Sequence, residues 1–324
     1  MERAVNKHDY AIDVVKFIAV LMITNSHFKL LYEDVNPALA TLGVHGNALF
    51  FFASGLTLAM STSHQKMNFL NWYKCRWGRI MPTIIVWAII SNCFFDKELS
   101  WSLLLYGNGY WFLKCILISY IPLYFILKAK LKSLYVLLGI SSLLIVVTVF
   151  IMPKAELSIF HAFHYIAYFS VMILGVLCSR LPSDILTNVK YGGVKLCLSF
   201  ALYFVVMSFG KGNTSSWLYY TQLIGIVPLH LFVFYLYSYL KTKQKYIRSL
   251  KIYKPIYWIG SLCLEIYIVQ GVLFTNKFNS IFPLNLLLVF AEIVGLAYFV
   301  RIMTNLFNQC IRKEKLNTGQ LLKI

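Results

Sequence analysis

Long apolar runs recur along the whole chain. A helix needs about 20 mostly apolar residues to cross the hydrocarbon core of a bilayer. Helices are the default there, because backbone groups find no water to bond. We therefore predict an all-α polytopic membrane protein with about ten transmembrane helices. It forms a single domain over residues 1–324, with a short basic tail at about 308–324. The predicted spans are Tyr10–Tyr32, Leu42–Ser61, Ile80–Phe95, Gly109–Leu127, Leu134–Met152, Phe160–Ser179, Val194–Phe209, Leu218–Leu240, Tyr257–Asn276 and Phe282–Phe307.

The distribution of basic residues predicts the orientation of these spans. Cytoplasmic segments of membrane proteins carry an excess of Lys and Arg. With both termini in the cytoplasm, the inside segments hold most of the 30 Lys and Arg residues. Those that fall in outside segments are Lys29, Lys97, Lys154, Lys211 and Lys277. We therefore expect the N-terminus and the C-terminus to be cytoplasmic.

Composition narrows the class of protein. The 324 residues are 59% apolar and 13% charged, with a net charge of +18 and a mean hydropathy of +0.69. Soluble domains are about 45–50% apolar and about 25% charged, so a soluble nucleic-acid binder is excluded and no nucleic-acid partner is expected. The seven cysteines are scattered without C-x-x-C spacing, which predicts neither a metal site nor a disulfide framework. We expect a multi-pass protein of the cell (inner or plasma) membrane, in contact with lipids. The sequence leaves open whether the chain forms a homo-oligomer.

The first span holds the densest set of polar residues, and two of them share a helix face. Lys16 and His27 are eleven residues apart, which returns them to one face about 16 Å apart along the axis. Lys16 suits an anion, and His27 suits proton transfer. In the alternative, Asp13 and Lys16 pair near the interface, and His27 only ends the span.

A basic segment, Trp72–Pro82, follows the second span as a predicted hairpin. Its Arg76 and Arg79 lie at i and i+3, so on a helix start they project together and can grip a phosphate. The alternative is that both arginines only hold topology or touch lipid headgroups.

Five short motifs are spread over essentially the whole chain. They are a basic residue and a histidine with ten residues between them (Lys16 and His27), Phe-Phe-x-x-Ser-Gly ending at Gly55, Arg-x-x-Arg at Arg76 and Arg79, Tyr110-Trp111-Phe112-Leu113, and the Gly260–Gln270 element. Together, and in this order, they resemble the acyltransferase-3 family. Two positions depart from the family pattern. Lys16 stands where the family commonly has Arg, and Gln270 stands where it often has His.

The resemblance implies an integral membrane acyltransferase. Such enzymes move an acyl group, usually acetyl, from cytoplasmic acyl-CoA to a hydroxyl of a sugar or glycan. Acetyl-CoA is then the expected donor, with no metal, and a sugar or glycan is the acceptor. His27 is expected to act as general base, or alternatively to carry the acyl group.

The resemblance also implies roles for the other polar residues. Arg76, Arg79 and Lys16 would hold the donor phosphates. Asp13 would orient or balance Lys16, and these two residues are counted with His27 as catalytic. Candidates for binding the acceptor or donor are Glu265, Tyr267, Gln270, Tyr110 and Trp111.

Glu292 and Arg301 in the last predicted span are nine residues apart. They therefore face opposite sides of their helix and are not expected to be partners.

Two other classes of protein fit ten spans with buried charges. A transporter or flippase for a lipid-linked glycan would show inverted repeats, or short Gly/Pro-broken helices in matching halves, and the sequence shows neither. A glycan polymerase would have a large outer loop with paired polar residues, whereas the predicted outer loops are short.

Overall fold

The computed structural model describes residues 8–61, 63–95, 110–151, 164–211, 217–313 and 317–322. These residues form helices and turns, and no β-strand occurs among them. Short helical turns, such as Ser183–Thr187, Gln244–Ser249 and Thr318–Leu321, connect or follow the main helices. The main helices are α1 (Tyr10–His27), α2 (Gly43–Met60), α3 (Phe69–Phe94), α4 (Trp111–Ile126), α5 (Leu131–Ile151), α6 (His164–Arg180), α7 (Gly192–Lys211), α8 (Ile226–Thr242), α9 (Tyr253–Ser261), α10 (Cys263–Val269) and α11 (Leu284–Ile311).

The main helices bear out an all-α polytopic membrane protein. Within the described residues, six helical stretches are long and apolar enough to cross a membrane, and the bent pair of α9 and α10 would make a seventh. The helices α4, α5 and α6 supply three shorter apolar stretches. Each predicted span thus has a helix or a bent pair at its position. The predicted span ends at Gly109, Met152 and Phe160 lie outside the described residues.

Helix α3 corrects the predicted start of the third span. That span was expected to begin at Ile80, but the helix begins at Phe69 and runs for 26 residues. The side chain of Asn68 accepts a hydrogen bond of 2.9 Å from the backbone N–H of Asn71, which caps the helix. The basic segment Trp72–Pro82 is therefore helical, and the predicted hairpin is wrong. The seventh span is also longer than predicted, since α7 has 20 residues.

The predicted ninth span is broken. Tyr257–Asn276 was expected to be one continuous helix, but α9 ends at Ser261 and α10 begins at Cys263, with a bend of 58° between them. A 3₁₀ turn at Gln270–Val272 follows α10. The last helix, α11, continues to Ile311, so it enters the predicted basic tail.

The chain divides into two compact units. Unit 1 is Met1–Lys16, Asn47–Lys66 and Ile121–Lys254, and unit 2 is Phe17–Gly46, Met67–Tyr120 and Pro255–Ile324. In unit 1, α2 and α6 approach closely at two glycines. A Cβ atom at Gly55 would overlap the carbonyl oxygen of Met172, and one at Gly175 would overlap that of Phe52. The Phe-Phe-x-x-Ser-Gly motif thus has a packing role. In unit 2, α3, α10 and α11 pack against one another.

Candidate functional site

Most of the predicted site residues lie in unit 2. Asp13 and Lys16 belong to unit 1, in the first part of α1. The eight predicted residues in unit 2 are His27, Arg76, Arg79, Tyr110, Trp111, Glu265, Tyr267 and Gln270.

Arg76 is a buried cation. Only 7% of the residue is exposed, and its guanidinium carbon lies 5.6 Å from the centre of the Trp72 ring. No acidic side chain in the described part of the chain forms an ion pair with Arg76, and its buried Nε has no acceptor there. Arg79 lies one turn further along α3 and is exposed. Pro82 follows inside the helix and removes one backbone hydrogen bond. The two arginines therefore offer one buried and one accessible set of donors.

His27 is the last residue of α1 and is exposed. Its ring is stacked on the ring of Phe274, with 5.9 Å between the centroids and 14° between the planes. The ring of Phe28 meets the same Phe274 edge-on, at 6.1 Å. An accessible imidazole held against a phenyl face can meet a ligand, so its position suits proton transfer.

An asparagine organises the loop that follows His27. Asn25 donates hydrogen bonds to the carbonyl oxygens of Leu39 (2.9 Å) and Thr41 (3.1 Å). Its own oxygen accepts a bond of 2.8 Å from the hydroxyl of Tyr32. The side chain thus ties both ends of the loop to the last turn of α1.

Two further asparagines, which the sequence analysis did not single out, hold the same loop. Asn279 donates to the carbonyl oxygen of Leu30 (3.0 Å), and the fully buried Asn285 donates to that of Leu31 (3.1 Å). An asparagine inside an apolar run is the signal that could have identified Asn285, because a buried amide needs partners.

Tyr110 and Tyr267 belong to one aromatic cluster. The Nε1–H of Trp87 donates a hydrogen bond of 3.2 Å to the Tyr110 hydroxyl. The ring of Tyr267 lies 6.4 Å from that of Tyr110 and 4.8 Å from that of Phe112. Trp111 contacts Phe112 edge-on at 6.0 Å. The cluster brings two predicted motifs, Tyr-Trp-Phe-Leu and the Gly260–Gln270 element, into contact.

Glu265 and Gln270 lie near each other in sequence but have different surroundings. Glu265 is 1% exposed and accepts a hydrogen bond of 3.0 Å from Arg301, which also donates to the carbonyl oxygen of Ser261 at 2.9 Å. Arg301 therefore pairs with Glu265, a partner that the sequence analysis did not predict. Gln270 is 3% exposed, and its Oε1 has no donor within the described residues. A ligand donor could satisfy that oxygen.

The partners of Asp13 differ from those expected. Asp13 accepts hydrogen bonds from His8 Nε2 (2.6 Å) and from the hydroxyl of Tyr253 (2.5 Å), and Lys16 is not among its partners. The neighbouring Asp9, which the sequence analysis missed, accepts a bond of 2.6 Å from Lys241. Both carboxylates are thus used to fix the start of α1 within unit 1. The half-buried Lys16 lies one turn beyond Asp13.

Comparisons with known proteins give one match. The acyltransferase-3 family model, described as an acyltransferase domain, matches residues 9–302. No curated protein and no solved structure matches the chain. Among the residues that the structure describes, no group of three or more His, Cys, Asp or Glu side chains could hold a metal ion.

Proposed function

Because the chain belongs to the acyltransferase-3 family, we propose that it moves an acetyl group, or another acyl group, from cytoplasmic acyl-CoA to a hydroxyl of a sugar or cell-surface glycan. Family membership makes it a membrane acyltransferase. The proposal adds the identity of the acyl donor, the chemical class of the acceptor, and the residues that bind them and catalyse the transfer. It also places ten spans in the cell membrane with both termini in the cytoplasm, as the distribution of Lys and Arg predicts.

The burial of Arg76 is the single observation that carries this proposal. A buried charge without an ion-pair partner costs several kcal/mol, and a charged group inside a membrane marks a functional site by default. Acyl-CoA is a polyanion, and the planar guanidinium matches phosphate oxygens in a bidentate geometry. Arg76 would therefore pair with a donor phosphate. Arg79, one turn further on, would hold a second one.

His27 is assigned the role of general base at the reacting atoms. It takes the proton of the acceptor hydroxyl while that oxygen attacks the thioester carbonyl. The carbon–sulfur bond then breaks, and the proton on His27 passes to the CoA sulfur. In the alternative, His27 attacks the thioester and carries the acyl group to the acceptor. Both routes need an accessible imidazole, and the exposed ring beside Phe274 provides one.

Binding of the sugar acceptor is assigned to the aromatic cluster and to the residues that follow the break between α9 and α10. Sugars present hydroxyl groups around an apolar ring face, so aromatic rings and hydrogen-bonding side chains suit them. Tyr267, Tyr110 and Trp111 supply the aromatic surface. Gln270 supplies its side-chain oxygen Oε1, which accepts no hydrogen bond within the described part of the chain and could accept one from a sugar hydroxyl. Glu265 acts through its ion pair with Arg301, which fixes the start of α10.

A comparison of surface glycans tests this function. Cells that produce the chain are compared by mass spectrometry with cells that lack it, and with cells that produce the His27→Ala variant at the same level. The proposal predicts a sugar unit heavier by one acyl group in the first cells alone. Identical glycan masses in all three would contradict it.

The bend between α9 and α10 favours a second candidate function. Discontinuous helices are typical of secondary transporters, so the second candidate is a flippase for a lipid-linked glycan. A carrier would move the glycan across vesicle membranes without consuming acyl-CoA. Measuring transport and free CoA thiol in the same vesicles separates the two functions.

A further inference from the structure

The start of α7 borders a cavity in unit 1. Helix α7 begins at Gly192, directly after Tyr191, which has a positive φ of 57°. The cavity has a volume of about 200 Å³, and its lining includes Gly192, Gly193, Ser238 and Lys243. It therefore lies between the first turn of α7 and the end of α8.

The first turn of α7 has backbone donors to offer. The N–H of Gly192 donates to the carbonyl oxygen of Val189, and that of Lys195 donates to Tyr191. No backbone hydrogen bond in the described residues uses the N–H groups of Gly193 and Val194. Free N–H groups and the helix dipole make such a terminus attractive to phosphate. A Cβ atom at Gly193 would be in ordinary van der Waals contact with the Tyr239 ring at 3.8 Å, and both residues border the cavity.

Two side chains add independent support for an anionic ligand. Ser238 is 1% exposed, lines the cavity, and its Oγ has no hydrogen-bond partner within the described residues. A buried hydroxyl without a partner costs about 1–3 kcal/mol, which a ligand can offset. Lys243 brings a positive charge to the same cavity. The nearby carboxylate of Asp9 is bonded to Tyr237, Lys241 and Gln244, and Lys243 is not among its partners.

We propose that this cavity binds the phosphate of an anionic phospholipid headgroup. The surface of α7 beyond the cavity favours a lipid over a free phosphate compound. Val194, Leu198 and Leu202 are exposed and follow one another at four-residue spacing, so they form one apolar stripe leading away from Gly193. Acyl chains attached to a bound headgroup would lie along this stripe.

Lipid binding to the purified full-length chain tests the site. The chain in detergent is titrated with phosphatidylglycerol or phosphatidylcholine, and retained lipid is counted by native mass spectrometry. The variants are Lys243→Gln, Ser238→Ala and the matched control Lys245→Gln, an exposed lysine outside the cavity lining. The proposal predicts preferential retention of phosphatidylglycerol. It also predicts that Lys243→Gln weakens this binding about tenfold, as expected for one charge-assisted bond, while Lys245→Gln changes it little.

Other outcomes overturn the proposal. Equal losses of bound phosphatidylglycerol in the two lysine variants would indicate that the lipid is attracted by the overall positive charge and not by this cavity. Equal retention of both lipids would show that the cavity does not select an anionic headgroup. Displacement of phosphatidylglycerol by inorganic phosphate or acetyl-CoA at similar concentrations would assign the cavity to a soluble phosphate compound. The variants are compared only where their detergent elution profiles match the wild type. Acyl transfer is measured separately, so this site and the acyltransferase function can fail independently.

Discussion

Arg301 donates hydrogen bonds to the Glu265 carboxylate at 3.0 Å and to the Ser261 carbonyl oxygen at 2.9 Å, so one side chain spans both sides of the helix break. The last carbonyl groups of α9 lack intrahelical donors, and the guanidinium supplies one. The carboxylate lies in the first turn of α10, where a negative charge is favourable. The break is therefore braced by an ion pair from α11.

Removing Arg301 should destabilise the chain strongly. Arg301→Met leaves the Glu265 carboxylate buried and unpaired, and breaking a buried pair costs about 3–5 kcal/mol. The unfolding midpoint in detergent measures the loss. The double variant with Glu265→Met should recover part of it, because no uncompensated charge is left. Glu292→Gln changes an exposed residue on the same helix and should leave the midpoint unchanged. A full loss in the double variant would show that the pair itself was not the cause.

Arg76 should control the affinity for the donor. Arg76→Met should raise the KM for acyl-CoA about tenfold or more, because a charge-assisted bond to a phosphate contributes about 1.5–3 kcal/mol. Arg76→Lys should recover part of the affinity, since it keeps the charge but loses the planar fork. Steady-state kinetics with varied acyl-CoA measures the effect. Lys74→Gln changes an exposed cation on the same helix and serves as the control. Equal KM values in the Arg76→Met and Lys74→Gln variants would reduce Arg76 to a topology signal.

Asn25 should hold the loop that follows His27. Asn25→Ala removes its three hydrogen bonds, to Leu39, Thr41 and Tyr32. Backbone amides between residues 28 and 41 should then exchange faster with deuterium, and acyl transfer should slow because His27 is less well placed. Hydrogen–deuterium exchange mass spectrometry measures the first effect. Asn71→Ala, on the exposed side of α3, is the matched control. Unchanged exchange in this loop would show that other contacts fix it.

Gly55 should be intolerant of a larger side chain. In Gly55→Ala the new methyl would collide with the Met172 carbonyl, so α2 and α6 would have to separate. The yield of folded protein in detergent should fall. Gly139 on α5 has no atom within 4 Å of a Cβ position, so Gly139→Ala should be neutral or stabilising by up to about 1 kcal/mol. Similar yields for both variants would contradict the close packing at Gly55.

Local sequence patterns predicted the helices well, and long-range contacts less well. The apolar runs identify α1 and α11, because hydropathy reports directly on a membrane environment. The start of α3 was placed too late, since a charged helical turn and a loop have similar compositions. The break at Leu262 has no proline to mark it, and the residue that braces it is 40 positions away in sequence.

The candidate site shows the same division between local and distant information. The spacing of Arg76 and Arg79 predicted a shared helical region, but only packing in unit 2 decides that the first is buried and the second exposed. Asp13 was expected to balance the nearby Lys16. It instead binds Tyr253, which is 240 residues away, and no local pattern could indicate that contact.

His27 carries the proposed chemistry, and acyl transfer from labelled acetyl-CoA by the purified chain in detergent tests its role. We expect the wild type to release CoA and to label a sugar acceptor, or water in its absence. His27→Ala should lower kcat by about 10²–10⁴-fold, the usual contribution of a general acid–base group, with an unchanged elution profile. Full acyl transfer by a correctly folded His27→Ala variant would contradict the assignment.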